Sequence, residues 1–340
     1  MRSKRSAALA LALAAAVLAA LVASSVGTAS RAALTKAAIV TDTAGLNDRS
    51  FNHLANLGRL KAQKDLKVQS RAFISKSSQD YLPNMVAAAQ DGYEAVVANG
   101  FLLATDLNTA AQQFPDTKWA IVDFPQVALT DKPKNVVGLT FKSEESGYLV
   151  GYLAGLMTKR EGGKQVISAV GGQKIPPVDN WIAGYRAGAK KANPKIQVLI
   201  DYSNQFPPSA APKCKELALK QFAKGSHAVF QVAGGCGLGA LDAAKQKGKW
   251  GIGVDADQSY LGSHILTSGV KRVDTAVYTF FKLAKAGTLK TGTDLVFNLK
   301  NGGQDVGKFS PKCKCAAYIL KMNGIKRLII AGKIKPPATL

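Results

Sequence analysis

One stretch of this 340-residue chain gathers groups suited to holding a small polar molecule. Asp42-Thr43-Ala44-Gly45-Leu46-Asn47-Asp48-Arg49-Ser50-Phe51-Asn52 combines carboxylate and carboxamide side chains with the flat apolar ring of Phe51. It leads into a segment predicted as a helix over 51–63, with Ser50 or Asp48 as the N-cap. The free N–H groups of a helix start would add hydrogen-bond donors. Further along, polar or glycine residues close short apolar runs at Asn99-Gly100, Asp123, Gly234-Gly235 and Asp255. No reaction centre emerges from these types and spacings. The chain contains no G-x-x-x-x-G-K-[ST] loop, no H-E-x-x-H and no G-x-S-x-G. Gly234 to Gly239 lacks the G-x-G-x-x-G spacing of a dinucleotide loop. Cys236 with His227 or His264 is the one nucleophile pair on offer, and a disulfide accounts better for that cysteine. None of His53, His227 and His264 sits at ligand spacing beside a cysteine, so neither a metal nor a cofactor is expected. The chemistry indicated is recognition without bond making.

The elements that must position these residues alternate regularly. Apolar runs at 37–40, 68–73, 95–98 and 118–123 read as strands, separated by helical stretches at 51–63, 81–91 and 103–114. The alternation restarts after a helix at 144–157. Strands are predicted at 165–172, 197–202, 228–233 and 249–254, with helices at 180–192, 211–224 and 238–247. Apolar strands alternating with amphipathic helices indicate parallel sheets covered on both faces. In such sheets ligands bind beyond the carboxyl ends of the strands. Asp42, Asn99-Gly100, Asp123, Gly234-Gly235 and Asp255 all occupy that position, so they converge on one cleft.

Composition bounds the rest. Arg2, Lys4 and Arg5, the apolar run 7–23 and the small residues that follow have the form of a secretory signal peptide over residues 1–30. The expected product is exported, periplasmic or associated with the cell envelope, and without a lipid-anchor cysteine. The net charge is +23, but the basic residues are spread evenly, with no run of five and no interleaved aromatics. A solvated basic surface is therefore expected rather than a nucleic-acid site. The four cysteines, Cys214, Cys236, Cys313 and Cys315, allow three pairings in an exported protein. Cys214–Cys236 with Cys313–Cys315 is preferred, although Cys313-Lys314-Cys315 would close a very small ring.

Six segments in order resemble the basic membrane protein family of substrate-binding proteins. Gly45 to Asn52 matches its G-x-x-D-x-S-F-N opening. Val136 to Lys142 with Glu145 to Gly155 resembles its interlobe segment and following helix. Trp181 to Ala189 matches an aromatic-x-x-Gly-aromatic-x-x-Gly helix, and Val229 to Gly237 resembles V-F-x-x-A-G-G-x-G. Gly253 to Gln258 matches G-V-D-x-D-Q, and Thr267 to Arg272 resembles T-S-x-x-K-R. The resemblance covers about residues 37–300. It implies a receptor that holds a purine nucleoside between two lobes and passes it to an ABC transporter permease. The base would stack on Phe51, faced by Phe206 or Trp181. Asp123 and Asn47 or Asp48 would read base edges, with Asn52 beside them, and Asp255 and Lys271 would take the ribose hydroxyls, helped by Gly234. Gln205-Phe206-Pro207-Pro208 departs from the family's S-F-x-D.

The fold expected is α/β, a type I periplasmic-binding-protein fold with two Rossmann-like lobes, a cleft and a hinge crossed three times. Lobe 1 would take residues 31–141 plus about 265–295, and lobe 2 residues 142–264 plus about 296–340. A monomer is expected. A ligand-sensing receptor of the same fold and an exported nucleoside-acting enzyme are the alternatives.

Overall fold

A computed structural model describes residues 34–340; the expected signal peptide, residues 1–30, lies outside the described residues. The first half of the chain runs β1 (Lys36–Thr41), α1 (Phe51–Leu66), β2 (Gln69–Phe73), α2 (Tyr81–Gln90), β3 (Ala95–Asn99), α3 (Ala104–Gln113), β4 (Lys118–Val122) and β5 (Val136–Phe141). Successive side chains of a strand point to opposite faces. Accordingly Ala37 and Ile39 of β1 enter one apolar core, while Ala38 and Val40 enter another across the sheet. Both faces being buried, the inner strands β1, β3 and β4 are apolar runs, as parallel sheets require, while the edge strand β2 alternates and carries Gln69, Ser70 and Arg71.

The second half follows as α4 (Ser143–Glu161), β6 (Val166–Gly171), α5 (Pro176–Ala192), β7 (Gln197–Tyr202), α6 (Ala211–Ala223), β8 (Ser226–Val232), α7 (Gly237–Gln246), β9 (Trp250–Asp255) and β10 (Ile265–Lys271). The C-terminal segment adds α8 (Val273–Lys285), β11 (Thr293–Phe297), β12 (Gln304–Val306) and α9 (Ala316–Ile330). Two sheets result, ordered β11-β5-β4-β3-β1-β2 and β12-β10-β9-β8-β6-β7. Pairing is parallel throughout the first, and only β12 runs antiparallel in the second. The orders correspond position by position, although the two halves share no visible sequence repeat.

The sequence reading returns the chain to the first lobe near 265; the structure places that return later. Ile265–Lys271 pairs with β9 in the second sheet, because its partner is chosen by hydrogen bonding across the sheet and not by local pattern. The segment that goes back is α8 with β11: α8 lays Val273, Ala276, Val277, Phe280, Phe281 and Ala284 into the first core, and β11 pairs with β5 at the edge of the first sheet. The α8 spacing is one face of a helix.

Three crossings join the lobes, at 141–143, 271–273 and 297–304. Lys142 and Arg272 stand at equivalent crossings and share one backbone conformation, φ −82°, ψ 66° and φ −83°, ψ 66°. The crossings brace one another: Lys142 N donates to Phe297 O and Arg272 N to Gly303 O, and the Phe141 and Phe297 rings stack at 5.2 Å.

Helices α4 and α5 approach until backbone meets backbone. A Cβ on Gly147 or Gly151 would overlap the carbonyl oxygens of Trp181 or Tyr185, and one on Gly184 or Gly188 those of Glu144 or Tyr148. Both disulfides are formed as preferred, Cys214–Cys236 and Cys313–Cys315.

Two outcomes follow from this packing. Gly151→Ala is expected to cost about 1–3 kcal/mol through overpacking, read as a lower urea midpoint; an unchanged midpoint would show that the helices can part freely. Glu144, in the first turn of α4, is buried with Oε2 unpartnered, and burial pushes its carboxyl up to about 7. A raised folded-state value gives stability that is full below the ordinary carboxylate range and is lost as pH rises through 7. Glu144→Gln should therefore exceed the parent in stability at pH 8 and match it near pH 4, by urea unfolding at both.

Candidate functional site

The carboxyl ends of both sheets open on one cavity with about 680 Å³ of empty space, its mouth included. The backbone turns sharply where the strands stop. Asp123 after β4 and Asp255 at the end of β9 occupy equivalent places in the two sheets, and both are left-handed, with φ 64° and 63°. Gly100 after β3 and Gly234 after β8 are the matching pair one strand over, also with positive φ. Asp tolerates this conformation better than most residues, and glycine tolerates it freely. Each turn tips its side chain or bare backbone into the cleft.

Lys271, the last residue of β10, is the one cation in the lining among the described residues. Its Nζ lies 2.6 Å from Asp123 Oδ2 of the other lobe and 3.2 Å from Asp255 Oδ1. The three side chains are 4–10 % exposed. Burial opposes the ammonium charge, but Asp123 and Asp255 outweigh it and hold Lys271 above its ordinary value. Burial, with Asp255 nearby, pushes the Asp123 carboxyl up in spite of Lys271. Asp255 Oδ1 lies close to the ammonium yet accepts no aligned hydrogen bond. It is a buried acceptor aimed at the cavity.

The stretch that opens α1 divides its labour. Asp48 accepts from Ser50 N, Asn52 N and His53 N at 2.7–3.0 Å. It borders the cavity, but its carboxylate caps the helix. Asn52 is fully buried behind the wall, donating to Asp42 Oδ1 at 2.6 Å and accepting from Asn99 Nδ2 at 2.8 Å. Asn47 is exposed and outside the lining. The side chain left facing the cavity is Asp42: its Oδ1 accepts from Ala44 N and Asn52, while its Oδ2 has no partner among the described residues. Burial pushes both Asp42 and Asp48 up.

Three aromatic residues named from sequence line the cavity, each differently. Phe51, at the first turn of α1, lies beneath Gly100, where a Cβ would stand 3.3 Å from its ring. Phe206 belongs to the second lobe and meets Phe101 of the first edge-on at 5.8 Å, closing the mouth. Its loop is pinned, since Cys236 N donates to Phe206 O at 2.9 Å and the Cys214–Cys236 disulfide holds Cys236. Trp181 is 1 % exposed and packs edge-on against Phe230, so it forms floor rather than a free stacking face. Ser50 Oγ on Val254 O and Arg49 over the Tyr260 ring add contacts between the lobes.

Of the ten ligand-contact candidates, the cavity thus unites Asp48, Phe51, Asp123, Trp181, Phe206, Gly234, Asp255 and Lys271 and leaves out Asn47 and Asn52. It adds Asp42, Gly100 and Gly235, which the strand-end rule had already indicated. Phe101, Leu102, Pro177 and Val178 also line it, and no motif marks them. Among the described residues no group of His, Cys, Asp and Glu is arranged to hold a metal, and no helix is long and apolar enough to cross a membrane.

Two doubly wound lobes, three crossings and a cleft at facing strand ends define a solute-binding protein of the type I periplasmic fold. Comparisons with known proteins agree. The sequence model of the Bmp family, described as ABC transporter substrate-binding protein PnrA-like, matches residues 35–338. The ABC transporter nucleoside-binding protein BmpA of Lactococcus lactis is 35 % identical over 325 residues, 89 % of each chain. An uncharacterized lipoprotein of Pyrococcus furiosus is 33 % identical over 313 residues, 88 % of this chain and 77 % of its own. A solute-binding protein of an ABC transporter system from Aeropyrum pernix superposes with a TM-score of 0.77 at 25 % identity, over 89 % of this chain and 94 % of its own. The chain belongs to the Bmp family of ABC transporter substrate-binding proteins. Such proteins bind small ligands outside the cytoplasm and work with membrane permeases. Because relatives include named lipoproteins, relatedness lends no support to the expected absence of a lipid anchor.

Removing Lys271 would leave Asp123 and Asp255 buried and unpaired. Lys271→Met is expected to lower stability at pH 7 by about 3–5 kcal/mol, and adding Asp123→Asn should restore part of the loss. Urea unfolding of both variants checks this; equal stability of parent and Lys271→Met would mean that the pair contributes nothing to holding the lobes.

Proposed function

We propose that this protein captures a purine nucleoside between its lobes, outside the cytoplasm, and as a monomer presents it to an ABC transporter permease. The observation that carries the reading is the joint character of the cavity: aromatic rings at Phe51 and Phe206 beside Asp42, whose hydrogen bonds from the described residues all fall on Oδ1, and Asp255, whose Oδ1 meets Lys271 by charge but accepts no aligned hydrogen bond. A flat base needs the first, and ring N–H groups and ribose hydroxyls need the second. Phe206 is the better second stacking face, since Trp181 is committed to the core. Asp123 would accept from a base edge, and Asp255 with Lys271 from and to the ribose. Asp48 and Asn52 would act by shaping the α1 start. The lining holds four carboxylates against one ammonium, which disfavours a phosphate and so favours nucleosides over nucleotides. The Lactococcus relative named as nucleoside-binding supports this choice.

Closure follows from the same layout. Each lobe supplies only part of the contacts, so ligand favours the shut form through its extra contacts there. Guanosine, inosine and adenosine should raise the melting temperature and bind in calorimetry, whereas the matching monophosphates and free ribose should not. Phe51→Ala should weaken nucleoside binding by about 1–3 kcal/mol, the worth of one stacked base, and Asp255→Ala should weaken it as well. Chromatography should recover the nucleoside intact. Stabilisation by another small molecule with silence towards every nucleoside would overturn the ligand, and turnover would overturn the binding role.

A further inference from the structure

A second cavity lies at the opposite end of lobe 2, with about 990 Å³ of empty space, its mouth included. It is built on the amino ends of β9 and β10, the strands whose carboxyl ends carry Asp255 and Lys271 into the cleft. Its cations are Lys245 from the last turn of α7, Lys249 just before β9 and Lys312 from the C-terminal segment, with His264 among them and Trp250 as an aromatic wall. Among the described residues no carboxylate lines it. The three lysines form no ion pair among the described residues. The nearby acids are engaged elsewhere: Asp242 with Lys215 at 2.6 Å, and Glu161 with Trp250 Nε1 and His227 at 2.8 and 2.9 Å. Burial, then Lys245 and Lys312, hold His264 below its ordinary value against the pull of Asp242.

The lysine from the C-terminal segment is held in place. Ser310 Oγ donates to Ser263 O at 2.6 Å and accepts from Lys312 N, tying the segment to the loop before β10. The Cys313–Cys315 disulfide closes the turn directly after Lys312, and Arg160 fastens the Cys313 carbonyl at 2.8 Å. The tight ring, which the ligand cleft does not use, thus fixes Lys312 on the rim facing Lys245. Gly262, at φ 133°, brings backbone so close to His264 that a Cβ would stand 3.1 Å from Nδ1.

We propose that this basic cavity binds a phosphate group, independently of the nucleoside cleft at the other end of the same strands. Lysine serves as a compact point charge for phosphate, and three without counter-ions around one concavity attract a dianion more strongly than scattered surface lysines do. The phosphate belongs either to a small soluble anion or to a lipid headgroup, two sources of one chemistry. Trp250 reports on the site.

The experiment titrates the purified protein with pyrophosphate, and separately with vesicles of phosphatidylglycerol or of phosphatidylcholine, at constant ionic strength, following tryptophan fluorescence. Saturation by pyrophosphate assigns a soluble anion, and saturation only by the phosphatidylglycerol vesicles assigns a headgroup. In either case Lys245→Gln/Lys312→Gln should raise the apparent Kd about tenfold or more. Lys314→Gln, outside the cavity, should leave it unchanged, and Trp250→Phe should remove the signal. Cys313→Ser/Cys315→Ser should weaken binding by freeing Lys312. No saturation with either probe, the same response to sodium sulfate as to pyrophosphate, or an unchanged Kd in the double lysine variant would overturn the proposal. Nucleoside stabilisation of the double variant, measured in parallel, confirms its fold.

Discussion

The ammonium of Lys271 stands 2.6 Å from a carboxylate of the other lobe and 3.2 Å from one of its own, and the geometry of the cleft depends on it. Without a cation there, Asp123 and Asp255 would face each other at the ends of two sheets, buried and of like sign. Such a pair repels strongly in a medium of low dielectric. With the cation, the two strand ends are drawn to one point and the lobes have a reason to meet. The arrangement is unsaturated. Three donors on one ammonium cannot satisfy every lone pair of two carboxylates, and Asp255 Oδ1, though 3.2 Å from the ammonium, accepts no aligned hydrogen bond. The interaction that draws the two strand ends together therefore also leaves acceptor capacity at the cavity wall.

That point of convergence is a product of the approximate twofold relation between the lobes. The sheets share one strand order, their fourth and ninth strands end in Asp residues of the same left-handed conformation, and two crossings share their φ and ψ. A hinge made of matching crossings lets one lobe rotate against the other without strain at a single joint. The third crossing, with Phe297 stacked on Phe141, keeps that rotation about one axis. Such a rotation would part Phe101 from Phe206 and separate Lys271 from Asp123, the contacts that join the lobes at the cleft.

The inner strands were legible because both sheet faces are buried there, so β1, β3, β4, β8 and β9 read as apolar runs that give way to a polar or glycine residue. The same rule located Asp42, Asp123, Gly234 and Asp255. What sequence pattern could not reveal were choices made over long distances. Whether Ile265–Lys271 pairs with the first or the second sheet is decided by β9. β12 is three residues long, and nothing in Gln304–Val306 marks it as an edge strand. Asn52 looked like a ligand contact because its type suits one; its partner Asn99 lies 47 residues away and turns it into wall. Asp48 was ambiguous in a different way. Its spacing before Ser50 and Phe51 served equally for a cap and for a ligand, and two free N–H groups of the first turn of α1, those of Asn52 and His53, claim it together with that of Ser50.

Charge separates the molecule's two tasks. The chain carries +23 overall, yet the cleft lining has four carboxylates against one ammonium. Salt confines the influence of surface charge to roughly 8 Å at physiological ionic strength, while charges buried inside the cleft are hardly screened from one another. The basic exterior therefore acts on where the molecule resides, drawing it towards anionic surfaces, and has little say in what enters between the lobes. Entry is decided by the local excess of acceptors, which welcomes N–H and O–H donors and repels a phosphate. The overall basic charge of the sequence and an acceptor-rich cleft are thus compatible, because they concern different surfaces of one molecule.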